Sequence, residues 1–305
     1  MKNNLFTYDL IIIGAGFAGL YAIYKFRKLK FNVLLLERAT GVGGTWYWNR
    51  YPGARCDVES IQYSYQFSKI LEKEWNWTEK YASQKEILKY AEYVAKKFNL
   101  KKHISFNTDV TDTSYNDTEK TWLTKTKNNE YFKSKFLIMA TGQLSKINIP
   151  RIKNKSIYKG DLIHTGTWPK KRAAFKGLNI GVIGTGSSAI QAIPIIAKTA
   201  KKLVIFQRTP NYCIPANNIK YKNIKNNDNK PTIPQGFDNN MSLENLKLHY
   251  KLIRNKANKT FTAMYYKVNN KSALEDKEEK NNYFFEKYWK NGGIPFLASF
   301  KDITT

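Results

Sequence analysis

The chain of 305 residues has two cysteines, three histidines and 24 acidic side chains against 51 Lys and Arg, and each shortage closes off a class of function. Cys56 and Cys213 are too few and too far apart for a disulfide framework or a C-x-x-C redox pair, and so few thiols suit a reducing cytoplasm. His103, His164 and His249 are scattered, which leaves no histidine cluster to hold a metal. The longest apolar run, Leu10 to Tyr24, is interrupted by three glycines, is too short to span a bilayer, and is followed by no small-residue cleavage site. No metal, membrane segment or targeting peptide is expected, and the localisation expected is cytoplasmic.

Positive charge is what the chain has in excess. Residues 1–150 carry 23 Lys and Arg against 14 acidic residues, and residues 151–305 carry 28 against 10, so the second part supplies +18 of the net +27. A basic surface of that size raises the question of nucleic acid. The lysines are scattered among abundant asparagines, as in "NNIKYKNIKNNDNK" at 217–230, which reads as compositional bias rather than a built patch. No nucleic-acid role is expected. The length exceeds what one core comfortably fills, so two domains are expected.

Along the chain, the apolar run at 8–13 ends in "GAGFAG", apolar residues then recur at helical spacing, and "NVLLLE" follows at 32–37. That is strand, tight turn, helix, strand. Ile87, Leu88, Ala91, Val94, Ala95 and Phe98 form one face of a helix over 84–98. Residues 120–139 alternate around an "NN" turn, predicting a hairpin that ends in the buried-looking "FLIMATG". A second strand, turn, helix and strand follow as "LNIGVI", "GTGSSA", "IQAIPIIAKTA" and "LVIFQRT". Beyond 217 a polar linker leads to helical material with large apolar residues, from Leu243 to Trp289. The fold expected is α/β, with two Rossmann-like dinucleotide-binding domains and a helical insertion. The boundaries fall at 1–147, 148–216 and 217–305.

Gly14, Gly16 and Gly19 follow a strand and open a helix, the context in which G-x-G-x-x-G binds a pyrophosphate. Glu37 ends the second strand, where a carboxylate can accept both ribose hydroxyls and would repel a 2'-phosphate, so this loop is expected to take FAD or NAD. In the second loop, Gly184, Gly186 and Ala189 keep the pattern with alanine at the packing position. No acid closes its second strand; Arg208 and Thr209 stand there, a guanidinium and a hydroxyl suited to the 2'-phosphate of NADP. Two such sites suggest electrons passing from NADPH to a flavin.

With both loops placed, the intervening residues closely resemble the flavin-dependent Baeyer-Villiger monooxygenases of the cyclohexanone monooxygenase type. The fingerprint F-x-G-x-x-x-H-x-x-x-W-P matches Tyr158, Gly160, His164, Trp168 and Pro169, with Tyr in the first place. "GGTWYWNRYPGARCD" at 43–57, "FLIMATG" and "FQRTPN" match family blocks as well. The likeness runs over essentially the whole chain and weakens after about residue 217. It implies FAD in the first domain and NADPH in the second, with one oxygen atom of O2 inserted beside a ketone carbonyl to give an ester or lactone. The Trp-Pro ending distinguishes this family from the related flavin N- and S-monooxygenases.

Position by position, the resemblance assigns Gly14, Gly16, Phe17, Gly19, Glu37, Gly44, Thr45 and Trp46 to the ADP half of FAD, with Val110 against the adenine. Asp57 and Tyr63 fall where the family approaches the flavin ring, and Asp57 is the position that pairs with an active-site arginine. Gly184, Thr185, Gly186, Ser187, Ser188 and Gln191 fall to the NADP pyrophosphate, with Arg208 and Thr209 on the 2'-phosphate. His164 could transfer a proton, its ordinary pKa being near neutrality, but its place on the linker favours a domain-positioning role. His103 and His249 are expected at the surface. Cys56 is expected as a small buried thiol, and Trp46, Trp48, Trp75 and Trp77 mostly as core.

No residue here corresponds to the family's arginine, to the returning strands of either domain, or to a second "ATG" segment. The chain is therefore expected to be an N-terminal portion, with a separately encoded C-terminal half as one source of the rest. Alone, it is expected to be poorly soluble and to oxygenate ketones weakly. Two alternatives stay open: a flavin-containing N- or S-monooxygenase, and a non-catalytic FAD-binding module.

Overall fold

The computed structural model describes residues 5–170, 175–211 and 213–221, together with isolated helical positions between 247 and 289. The helical insertion expected over 217–305 lies outside the described residues apart from those at 217–221 and the isolated positions. So does His249.

The chain forms two compact units. The first comprises Met1–Ala54, Gln84–Ile180 and Ile190–Val204, and the second Arg55–Ser83, Gly181–Ala189 and Ile205–Thr305. The first unit is built on a six-stranded sheet. In chain order its strands and helices are β1 (Leu5–Ile13), α1 (Phe17–Lys28), β2 (Val33–Leu36), α2 (Thr45–Trp48), α4 (Gln84–Lys97), β3 (Ile104–Ser105), β4 (Val110–Asn116), β5 (Thr121–Thr126) and β6 (Tyr131–Met139). Helix α3 (Lys69–Glu74) belongs to the second unit.

The sheet order is β3-β2-β1-β6-β5-β4. β1 pairs in parallel with β2 and β6, β2 with β3, and the meander β6-β5-β4 is antiparallel. Leu10, Ile11, Ile12, Leu35 and Leu36 are 0–1% exposed, as the centre of a parallel sheet requires, and each such burial is worth about 1.5–3 kcal/mol. Helix α1 starts just after its N-cap Gly16 and carries Lys25, Arg27 and Lys28 in its last turn, where cations complement the carbonyl end of the dipole.

Helix α4 presents the expected face, with Ile87, Ala91, Val94 and Ala95 buried. It also buries Tyr90, whose ring lies 6.1 Å from that of Phe17. The hairpin forms as β5 and β6 around Asn129, which takes a left-handed φ of 59°. "FLIMATG" is less buried than its apolar run suggests: Phe136 is 56% and Met139 59% exposed, one on each face of β6. The second strand, turn, helix and strand is present as β7 (Asn179–Ile183), α5 (Ser187–Ala197) and β8 (Lys202–Phe206). β7 and β8 form a two-stranded sheet. They run in the same direction, since the Lys202 N–H reaches Leu178 O and the Gly184 N–H reaches Phe206 O.

Candidate functional site

The first glycine loop leaves β1 through Gly14, whose φ of +104° only glycine adopts easily and whose added Cβ would lie 2.5 Å from Ala140 O. Gly19 lets α1 press onto the strand, since a Cβ there would sit 1.8 Å from Gly14 O. Gly16 is different. Its backbone is extended, and an added Cβ would meet nothing nearer than Gly44 Cα at 3.6 Å. The protein itself does not require glycine at that position, so the cleared space points to a ligand lying against the backbone. No side chain caps Gly16, which leaves the first-turn N–H groups of α1 facing the same space with the positive end of the dipole.

Glu37 follows β2 and is 5% exposed. Its carboxylate accepts from the Ala15 N–H at 2.6 Å and the Ala39 N–H at 2.8 Å, one oxygen each. Each oxygen keeps a lone pair for a further donor such as a ribose hydroxyl. Gly43 N–H donates to Ala15 O at 2.9 Å, which brings the 43–46 turn against the glycine loop. Gly14, Gly16, Glu37 and Gly44 thus converge. A pyrophosphate beside Gly16 and a ribose on Glu37 fit these residues.

The neighbours expected by resemblance serve that frame differently. Phe17 turns toward Tyr90 of α4. Trp46 is 8% exposed and its carbonyl accepts from Gln84 Nε2, while Thr45 O accepts from Asn49 Nδ2 at 3.0 Å. Val110 opens β4 and packs against the cluster of Ile11, Ile13, Leu36 and Phe132. Two arginines escaped the sequence reading. Arg38 donates to Ser145 O at 2.9 Å and lies over the Trp48 ring, and Arg50 donates to Tyr47 O and lies over the Tyr47 ring. Only the tryptophans and tyrosines around them signalled such stacking.

At the second loop, an added Cβ at Gly184 or Gly186 would meet nothing within 4 Å, so here too open space lies over the glycines. Ser187 opens α5. Arg208 and Thr209 are exposed just past β8, with Gln207 Nε2 donating to Thr209 O at 3.3 Å. No hydrogen bond or ion pair holds the Arg208 guanidinium among the described residues. Thr185 accepts from Asn211 Nδ2 at 3.0 Å. Gln191 accepts from Tyr51 OH at 2.9 Å, and Gly53, at φ +79°, admits the Gln191 carbonyl where a Cβ would lie 2.2 Å from it.

The Y-x-G-x-x-x-H-x-x-x-W-P stretch is held by its own residues. Tyr158 folds over Gly160, where a Cβ would meet its hydroxyl at 2.5 Å. His164 Nδ1 accepts from the Gly166 N–H at 3.1 Å and caps a short 3-10 turn over Thr165–Thr167. Trp168 lies 5.8 Å from the Phe175 ring.

Asp57 and Tyr63 lie in the second unit, on a segment tied to 78–83. Cys56 N–H donates to Ala82 O at 3.1 Å and Ser60 N–H to Lys80 O at 2.7 Å. Cys56 is buried, and burial pushes its thiol up to about 11, which removes it as a nucleophile near neutrality. Beside it sits an ion pair that the sequence did not announce. Glu59 and Lys80 are 6% and 4% exposed with 3.7 Å between them, and Glu59 Oε2 has no hydrogen-bond partner among the described residues. Burial lifts the Glu59 carboxyl to about 7 against the opposing pull of Lys80, and burial lowers the Lys80 ammonium. His103, expected at the surface, is half-buried: Nε2 is covered, and burial first, then Arg27 and Lys102, lowers its pKa. The three-residue turn that carries it packs its ring inward after α4. Among the described residues no cluster of His, Cys, Asp or Glu could hold a metal ion, and no helix is long and apolar enough to cross a membrane.

A family model described as pyridine nucleotide-disulphide oxidoreductase matches residues 11–283. The chain is 37% identical over 98% of its length to a cyclohexanone 1,2-monooxygenase from Acinetobacter sp., of which it covers 52%. It is 35% identical over 99% of its length to a phenazine N-monooxygenase from Lysobacter antibioticus, of which it covers 53%. A solved structure, the OTEMO complex with FAD and NADP, superposes with a TM-score of 0.86 at 37% identity, covering 97% of this chain and 54% of that one. The chain spans about half the length of the curated relatives it matches.

Proposed function

Since the chain belongs to the pyridine nucleotide-disulphide oxidoreductase family, we propose that it is the dinucleotide-handling portion of an FAD- and NADPH-dependent Baeyer-Villiger monooxygenase acting on a small-molecule ketone. The single observation that carries this reading is the pair of glycine loops with opposite equipment. The first has a buried carboxylate at its strand end and the second an exposed guanidinium.

In this reading, Gly14, Gly16 and the uncapped end of α1 receive the pyrophosphate of FAD, Glu37 orients its adenosine ribose, and Gly44, Thr45 and Trp46 close the turn beside it. Gly184, Gly186, Ser187 and Ser188 receive the pyrophosphate of NADPH, and Arg208 with Thr209 selects its 2'-phosphate. Bound FAD, once reduced by NADPH, supplies the oxygen-activating chemistry. The Glu37 carboxylate repels a 2'-phosphate at the first loop while Arg208 attracts one at the second, so the two cofactors sort themselves by charge. By resemblance, Asp57 and Tyr63 are the residues assigned to the flavin ring. His164 positions the linker, a role supported by its Nδ1 being engaged as an acceptor within its own turn. The domain roles follow: FAD binding over 1–147, NADP binding from 148 to 216, and an inserted segment thereafter. The rest of the catalytic apparatus comes from a portion equivalent to what the relatives have beyond this chain, supplied in the same polypeptide or by a second one. A cytoplasmic location suits its two free thiols.

Similarity to a phenazine N-monooxygenase supports a second reading, oxygenation of a ring nitrogen by the same two cofactors. Assaying the protein completed with that remaining portion, with a cyclic ketone and with a phenazine, and measuring NADPH consumed and product formed, separates the two. Stoichiometric ester or lactone supports the first. N-oxide without ester replaces it with the second.

A further inference from the structure

The 55–83 segment is held by a stretch that comes from far along the chain. Residues 78–83 have a neighbour on each side. One is 55–60, through the Arg55–Ser83 bridge and the Cys56 and Ser60 N–H groups. The other is 218–221: Glu79 and Lys220 form an antiparallel bridge, Lys80 N–H donates to Ile219 O at 2.9 Å, and Tyr221 N–H donates to Thr78 O at 2.8 Å. Asn218 fastens the join. Its Oδ1 accepts from the Tyr81 N–H at 2.8 Å and its Nδ2 donates to Glu79 Oε2 at 2.6 Å. The same Glu79 oxygen accepts from Arg55 Nη1 at 2.9 Å, which also donates to Tyr81 O at 2.8 Å. Arg55 is two residues from Asp57. At the other end of this stretch, Asn211 Nδ2 donates to Thr185 Oγ1 in the second glycine loop. All of these residues belong to the second compact unit. Pro215 restricts the chain between the two asparagines, and Pro210 restricts it just before Asn211.

We propose that the stretch from Asn211 to Asn218 is a tether that transmits occupancy of the second glycine loop to the Asp57 segment, with Asn211 and Asn218 as positioning residues at its two ends. The inference rests on the reading that this loop takes NADP. Its sign follows from hydrogen-bond chemistry. A hydroxyl has one proton and two lone pairs. When Thr185 donates that proton to a phosphate oxygen, its oxygen becomes a better acceptor for Asn211, because linked hydrogen bonds polarise one another. Occupancy therefore tightens the tether. Asn218 then holds Glu79 and Tyr81 more firmly, and through them Arg55 and the 55–60 segment. Hydrogen bonds make the coupling at the two ends and the covalent chain links them, and a coupling of this kind is established only by measuring it.

The test is hydrogen-deuterium exchange of the full FAD-loaded chain with and without saturating NADP+, read at peptides covering 54–64, with NADP+ affinity measured in parallel. In the wild type, NADP+ slows exchange of the Cys56 and Ser60 amides by about threefold or more, a fraction of one net hydrogen bond. In Asn218→Ala and in Asn211→Ala that slowing is lost although NADP+ still binds. Asn211→Ala leaves the 55–83 clasp intact, so its exchange without NADP+ stays at the wild-type rate, which a merely structural role for the tether would not produce. Slowing that persists in both variants, or NADP+ binding with no slowing in the wild type, overturns the tether alone. Absence of NADP+ binding overturns the assignment of the second loop, and the tether with it.

Discussion

The two glycines Gly16 and Gly19 sit in one motif but answer to different partners, and substitution separates them. Gly19→Ala forces a Cβ into the Gly14 carbonyl at 1.8 Å and is expected to cost about 3 kcal/mol of unfolding free energy. Gly16→Ala meets only Gly44 Cα at 3.6 Å, so stability in the absence of flavin should stay within about 0.5 kcal/mol of wild type. Its cost falls on the ligand: FAD retention should drop at least about tenfold, equivalent to 1.4 kcal/mol. Denaturant melts of the flavin-free variants and flavin titrations check both. Glu59 gives a residue-level pH dependence. Burial raises its carboxyl from 4.5 to about 7, so the folded chain keeps a proton that the unfolded chain releases. The stability this group supports is whole below pH 4.5 and is lost as pH rises through 7, by at most about 3 kcal/mol. Replacing the pair together, as Glu59→Leu with Lys80→Met, should flatten that slope without lowering stability at pH 8, as measured by urea melts across the range.

At the scale of elements, β5 carries a correctable flaw. Thr124 is 0% exposed, and its hydroxyl has no hydrogen-bond partner among the described residues. Thr124→Val keeps the β-branched shape, removes the orphaned hydroxyl, and should stabilise the first unit by about 1 kcal/mol in equilibrium unfolding. Elements built on local pattern were legible in advance. The period of α4, the turn at Asn129 and both strand-loop-helix units need only neighbours in sequence. Tyr90 was missed on α4 because a tyrosine at that spacing reads equally as a solvent-facing ring, and only the approach of Phe17 decides it. The exposure of Phe136 and Met139 was missed because an apolar run cannot say how far other elements will cover either face of the strand.

At the scale of the molecule, what the sequence did not disclose is non-local. The Glu59–Lys80 pair joins residues 21 positions apart, and the Asn218 clasp joins residues 137 and 139 positions apart, so no window along the chain contains either. The glycine loops were readable because each gathers its backbone, turn and helix end within a dozen residues, and Glu37 because a carboxylate at a strand end has a fixed place in that frame. The central claim is a division of labour, with FAD on the loop that has the carboxylate and NADPH on the loop that has the guanidinium. The direct measurement is anaerobic mixing of the FAD-loaded chain with NADPH or NADH, following the bleaching of flavin absorbance, in wild type and Arg208→Ala. The account predicts bleaching by NADPH well ahead of NADH in the wild type, and loss of about tenfold or more of that preference in Arg208→Ala, about the worth of one charge-assisted hydrogen bond. Flavin that neither nucleotide bleaches, or a preference that Arg208→Ala leaves unchanged, would contradict it.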